Sequence, residues 1–561
     1  MKFNDFLYVR PDSKEVMDKL EDLSLEFQNA KSFEEQLDIY KKVEQVLRDC
    51  HTMNSIAYVR YTINTNDEFY KAEKDYRDLN SPLIDEKFKK LQNLLLESEF
   101  LEDFKKELGE VCITNLKLEV KSFSPEIVDL LQKENELKSK YQTLYASAKV
   151  EFDGKTMPLP MLGSYKQSQD RDTRKKAFET EGNFFDSHQK ELDSIFDELV
   201  KNRAEQARIL GYKNYVEMAY DLRNRNCYDA KAVANYRKQI LEDIVPLVTK
   251  LKANQQERIG VDSLKLYDDT FLFPDGNPTP KGTPDELLAL CRKMYNEMSP
   301  ETSEFIEFMF ESDLFDVVSK DGKAPGGYCT SFLNYKAPFI FSNFNGTSGD
   351  VDVLTHEAGH AFAGYLAKDL PYLDQMSPTM EGCEVHSMAM EYLTYPWHEL
   401  FFKEDTNKYT LEQAESCLSF LCYGTMVDYF QELIYSKPEM TPAERNEQWA
   451  ELDKQFRPYL DFDNLPFYGR GALWQRQLHI YLYPFYYIDY CLASTVALQI
   501  QAINLVDSKK AWDTYMTFTK MAGTKTFLDL VTTSGLNSPM EDGCLKSISE
   551  KVSDWIFSIK L

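Results

Sequence analysis

Residues 337–365 read APFIFSNFNGTSGDVDVLTHEAGHAFAGY. Ala337 to Phe344 is short, aromatic and β-prone, and Asn345-Gly346-Thr347-Ser348-Gly349 is a loop. Asp350 can cap the helix that follows. That helix carries Val351, Leu354, Ala358, Phe362 and Tyr365 on neighbouring rows, the pattern of a buried helix. A strand therefore runs into a loop and then into a buried helix bearing His356-Glu357-Ala358-Gly359-His360. Side chains at i and i+4 lie one turn apart on one face, with Cβ atoms about 5–6 Å apart. Two imidazoles so placed can grip one zinc ion through bonds of about 2.0–2.1 Å. Glu357 is rotated by about 100° around the helix axis, where it can reach a water without ligating the metal. Zinc lowers the pKa of a water it holds toward about 7, and a neighbouring carboxylate can take the proton. His356 and His360 are thus candidate ligands and Glu357 a candidate general base. The chain has 7 histidines in 561 residues, so a chance H-E-x-x-H would arise about once in a hundred such chains. That rarity outweighs the alternative of two core histidines with local partners.

A hydrolytic zinc site keeps three protein ligands and one open position. Glu381, Glu384 and His386 follow in TMEGCEVHSMAMEYLTYPW, and spacing alone does not choose among them. Glu384 and Glu391 are two helical turns apart on one face, so one can ligate while the other orients a metal-bound histidine. This favours Glu384 as the third ligand, with Glu381 as the alternative. His386 and His398 read as local hydrogen-bonding residues. A further stretch, YGRGALWQRQLHIYLYPFYYIDY at 468–490, sets His479 among tyrosines. Such a histidine can donate a hydrogen bond to a developing oxyanion. Dense aromatics are also core and interface material, and on composition alone packing is the better reading.

Outward from these motifs, helical periodicity dominates. Val16, Leu20, Leu23 and Phe27 form one stripe, and Ser32 with Glu35 makes a capping-box pattern before the next one. Amphipathic stretches continue to about residue 260, broken by the Asp153-Gly154 turn of a small hairpin at 150–158. PDGNPTPKGTP at 274–284 cannot be helix interior, and Thr283, Pro284 and Glu286 restart a helix. The expected organisation is an N-terminal helical lobe over 1–190 and a catalytic domain over 191–561. The net charge of −27 makes nucleic acid a poor partner. No run of about 18 apolar residues predicts a membrane span, and no secretory signal is evident. The 10 cysteines are scattered without a C-x-x-C pair, as expected for reduced thiols in a cytoplasmic protein.

His356-Glu357-x-Gly359-His360, then Cys383-Glu384-x-x-Ser387 with Glu391, then His479 and the downstream tyrosines together resemble the thimet oligopeptidase/oligoendopeptidase F family of zinc metallopeptidases. KAPGGYCT, FIFSNFNGT and GRGALWQRQLHIYLYPFYYIDYCLAS resemble its bacterial oligoendopeptidase branch, which includes Pz-peptidases. The resemblance implies a mainly α, two-lobed helical body of zincin type enclosing a deep channel, with a small β-sheet next to the zinc helix. It implies one Zn2+ per chain on His356, His360 and Glu384, with Glu357 as base. His479 and Tyr486 or Tyr490 would be the carbonyl and oxyanion binders. A sheet edge, here Phe339 to Asn345, would pair with substrate backbone. The expected substrates are short peptides, cut internally. The competing enzyme reading is a helical zinc carboxypeptidase or dipeptidyl carboxypeptidase, which would need a basic clamp for the substrate C-terminus. A non-catalytic scaffold with structural zinc has no use for Glu357. Oligomeric state is not legible.

Overall fold

The apolar stripes become helices because each has a face to bury. Leu20, Leu23 and Phe27 are buried on the helix Ser13–Asn29, with Val16 packed against them, and they meet Tyr40, Val43, Leu91, Leu95 and Phe104 in one core. The next helix, Phe33–Ile63, starts at Ser32, whose hydroxyl accepts from the Glu35 N–H. The Glu35 carboxylate reaches back one residue further than a capping box requires and accepts from the Lys31 N–H at 2.7 Å. At Thr283 the box is complete, and the helix Pro284–Met298 follows with proline in its first turn.

The computed structural model describes all 561 residues, and the fold is mainly helical. The chain forms two compact units, each assembled from three segments. The first holds Met1–Val120, Thr279–Thr406 and Val496–Leu536, and the second holds Lys121–Pro278, Asn407–Thr495 and Asn537–Leu561. The proline-rich stretch at 274–284 contains one of the crossings between them. In the second unit, strands β1 (Lys149–Phe152) and β2 (Lys155–Pro158) form the expected antiparallel hairpin. Its turn residues Asp153 and Gly154 have φ of 52° and 70°, the left-handed pair that a tight two-residue turn demands.

The first unit contains a three-stranded sheet of β3 (Phe315–Val318), β4 (Tyr328–Phe332) and β5 (Ala337–Phe344), in the order β3-β5-β4. β5 runs parallel to β3 and antiparallel to β4, with Ile340 opposite both Phe315 and Cys329. This corrects the expected edge at Phe339 to Asn345. β5 is the central strand, and Ala337 to Ser342 are all buried, as a strand apolar on both faces must be. The outer strands are β3 and β4. The helix Gly349–Ala367 packs on β5 and β4 and, elsewhere on its surface, on the helix Met380–Leu393. No helix in the structure is long and apolar enough to cross a membrane.

Candidate functional site

The helix Gly349–Ala367 is buried nearly all round, with Val351, Leu354, Ala358, Ala361 and Phe362 in the core. Asp350 does not cap it. Its carboxylate turns back to accept from the N–H groups of Asn345 and Gly346, both at 2.8 Å, and so ties the preceding loop to the helix start. His356 and His360 stand one turn apart with ring centroids separated by 5.0 Å. Between them, Gly359 sets how closely the next helix approaches. A Cβ there would lie 2.5 Å from the His386 carbonyl oxygen and 2.6 Å from Ser387 Cα, so only glycine permits this spacing. Tyr515 donates to that same His386 carbonyl at 3.0 Å and pins the second helix in place.

The close approach delivers Glu384. Its Oε2 lies 3.5 Å from His356 Nε2 and 3.7 Å from His360 Nε2, and Ser387 Oγ donates to it at 3.3 Å. The three residues offer ligand atoms that all lie within 4.8 Å of one another. Behind them Glu391 Oε1 lies 2.7 Å from His356 Nδ1, leaving Nε2 facing Glu384. His386 and Glu381 belong to the same helix and are buried, but neither joins the group. The His386 ring packs edge-on against Phe518.

The donor set fits zinc. A tetrahedral ion with bonds of about 2.0–2.1 Å spaces its ligand atoms about 3.3–3.4 Å apart, and two imidazoles with one carboxylate leave a fourth position open. Charge favours a cation as well. Burial pulls the His356 imidazole down, but its hydrogen bonds to Glu384 and Glu391 prevail and hold it well above the ordinary range. The same two carboxylates would favour a metal cation at this group. Burial depresses His360 to about 4, against the pull of Glu384. Glu357 is pushed up to about 7, chiefly by burial and further by Glu384 and Glu391, with His356 opposing. A dication beside it would favour its ionised form.

His479, Tyr486 and Tyr490 come together in the second unit. The His479 ring centroid is 5.9 Å from that of Tyr486 and 6.1 Å from that of Tyr490. Tyr487, which was not among the sequence candidates, is closer at 4.9 Å. The turn that presents these tyrosines is held from a distance. Phe485 adopts φ of 62°, a conformation costing about 1–3 kcal/mol that persists only where the surroundings enforce it. Its N–H donates to Gln431 Oε1 at 3.0 Å, and its carbonyl accepts from Arg225, which is also paired with Asp489. Arg223 lies over the Tyr486 ring. Burial, and secondly Arg223, lower His479 to about 4, so the ring is neutral at physiological pH. The arginines lie some 260 residues upstream in sequence, and no local pattern marks them.

Two family models cover most of the chain: a peptidase M3 N-terminal domain over residues 3–123 and peptidase family M3 over 164–550. Oligopeptidase PepF of Bacillus subtilis (strain 168) is 23% identical over 407 residues, 70% of this chain and 58% of the relative. The chain thus spans under two thirds of that relative's length. The oligoendopeptidase F homolog of Borreliella burgdorferi is 24% identical, over 72% of this chain and 69% of its own. Among solved structures, Pz peptidase A with an inhibitor superposes with a TM-score of 0.94 at 44% identity, covering 100% of both chains. With the peptidase model alone running from residue 164 to 550, well over half of its length, the chain belongs to peptidase family M3.

Proposed function

We propose that the chain is a zinc-dependent oligoendopeptidase that hydrolyses internal bonds of short, unstructured peptides in the cytoplasm. The observation that carries this reading is the convergence of His356, His360 and Glu384 with a buried carboxylate, Glu357, on the same helix turn. When bound, zinc supplies Lewis acidity at the scissile carbonyl and makes water a better nucleophile at neutral pH. His356, His360 and Glu384 hold the ion, Ser387 orients Glu384, and Glu391 orients His356. Glu357 takes a proton from the attacking water and returns it to the leaving amine. Its carboxyl, raised toward neutrality by burial, suits both halves of that transfer. In the same reading His479, with Tyr486 or Tyr490, donates hydrogen bonds to the carbonyl oxygen as it becomes an oxyanion.

The likeness to oligoendopeptidases supports cleavage within a chain, and peptides blocked at both ends test it. Mass-spectrometric product mapping should show internal cuts in such peptides that disappear with a zinc chelator. Products released only from free C-termini would instead indicate the carboxypeptidase or dipeptidyl carboxypeptidase class. Cleavage that survives chelation would remove the metal from the reading.

A further inference from the structure

At neutral pH an uncharged imidazole carries one N–H, and the nitrogen that bears it determines what the ring can donate to. Next to His479 a short hydrogen-bonded relay lies inside the second unit. The side-chain nitrogen of Gln477 lies 2.9 Å from His479 Nδ1. The other end of the same amide, Gln477 Oε1, accepts from the Tyr423 hydroxyl at 2.8 Å. Tyr423 belongs to the long helix Thr406–Ser436 and packs in a T-shaped contact with Trp449, with the Arg457 guanidinium over its ring 5.0 Å from the centroid. The Gln477 backbone is tied down too, its N–H donating to the Trp474 carbonyl at 3.0 Å. Tyr423, Gln477 and His479 all line one cavity of about 630 Å³.

We propose that Gln477 is a positioning residue for His479: its amide, oriented by Tyr423, donates to Nδ1 and so keeps the ring proton on Nε2, where it can be donated to substrate. This inference rests on the proposed role of His479 as a hydrogen-bond donor. It adds to that role Gln477, which touches His479 rather than the reacting atoms, and Tyr423, which touches Gln477. The buried setting and Arg223 support it, because they keep the ring neutral. A neutral ring whose Nδ1 accepts a hydrogen bond has its single proton on Nε2.

Gln477→Glu tests the relay, since it keeps the size of the side chain and replaces the donor by an acceptor. In histidine-labelled protein, ¹⁵N NMR should place wild-type His479 with Nδ1 bare and Nε2 protonated, the resonances being identified by their loss in His479→Ala. In Gln477→Glu the proton should move to Nδ1, and kcat should fall by about 10² while KM changes little. Tyr423→Phe removes only the hydroxyl that orients the amide and should lower kcat in the same direction by less. It also serves as the reading if the glutamate variant fails to fold. A protonated Nδ1 in the wild type would overturn the inference. So would Gln477→Glu and Tyr423→Phe proteins with unchanged kcat beside an impaired His479→Ala, and that result would leave the role of His479 standing. Full activity in His479→Ala would sink that role and this inference together.

Discussion

Glu357, Glu384 and Glu391 bring three carboxylates to the two imidazoles of the first unit. Around His479, in the second unit, the neighbouring rings are tyrosines and the charge that acts on it is the cation of Arg223. The chemistry available at each follows from that contrast. Clustered carboxylates hold protons or a metal ion and can accept a proton from water. Hydroxyls and a neutral imidazole N–H offer hydrogen bonds to negative charge, and the cluster brings no carboxylate to neutralise a metal dication. Their construction differs as well. The carboxylate group is built from residues within 35 positions of one another, from His356 to Glu391, on two helices packed across one glycine. The tyrosine group depends on Arg223, Arg225, Tyr423 and Gln431, which come from far along the chain.

If this contrast is functional, loss of metal is the most damaging change and acts only through the first unit. His360→Ala leaves two ligands, and its preparations should lose stoichiometric zinc on elemental analysis. Activity should fall by more than about 10³, the loss of the several kcal/mol a Lewis acid supplies. Chelation of the wild type should match it. Retention of one zinc per chain in His360→Ala would break the ligand assignment.

Glu357→Gln separates holding the metal from moving the proton. The amide keeps the shape of the side chain and cannot act as base, so zinc should stay while kcat falls by roughly 10² to 10⁴. A variant with near-normal kcat would leave the carboxylate group as a metal holder alone.

The two regions also differ in how far sequence could reach them. The H-E-x-x-H helix was legible because i and i+4 spacing is a local property, and so were the Asp153-Gly154 turn and the Thr283–Glu286 cap. Asp350 misled because the same residue type that caps a helix also binds loop amides, and here the helix begins two residues earlier than an Asp350 cap would give, at Gly349 with Ser348 before it. The central place of β5 depends on pairing with β3, about 25 residues upstream. The apolar run Phe339-Ile340-Phe341 fits a strand buried on both faces, but the partners that flank it lie outside the stretch. Gln477 stands two residues before His479, yet its relevance appears only with Tyr423, 54 residues away from it. Nor does any local signal tell that the chain returns to each unit after leaving it, because that depends on packing between distant segments.

On the donor side, His479→Ala should lower kcat by about 10² to 10³, with zinc content and KM little changed. Tyr486→Phe and Tyr490→Phe each delete one hydroxyl, so whichever loses activity identifies the second donor, by a smaller factor than the histidine. If the cluster serves packing alone, the outcome reverses: His479→Ala melts earlier and both phenylalanine variants stay active.

The smallest effect on turnover is expected at Glu391, to which the proposed reading gives no contact with substrate or metal. Its carboxylate lies 2.7 Å from His356 Nδ1. In Glu391→Gln the amide oxygen could still accept that hydrogen bond, so the ring should keep its orientation and kcat at saturating zinc should change little. What the substitution removes is a negative charge beside the ligand. That charge favours both a proton on His356 and a metal ion in its place, but a dication feels it about twice as strongly as a proton does. Removing the charge should therefore weaken zinc more than it relieves proton competition, by about 10- to 100-fold in a chelator titration. If zinc affinity is unchanged while kcat drops, Glu391 acts on the proton transfer of Glu357, whose carboxyl it also raises. The separation between holding the ion and moving the proton would then fail inside the first unit itself.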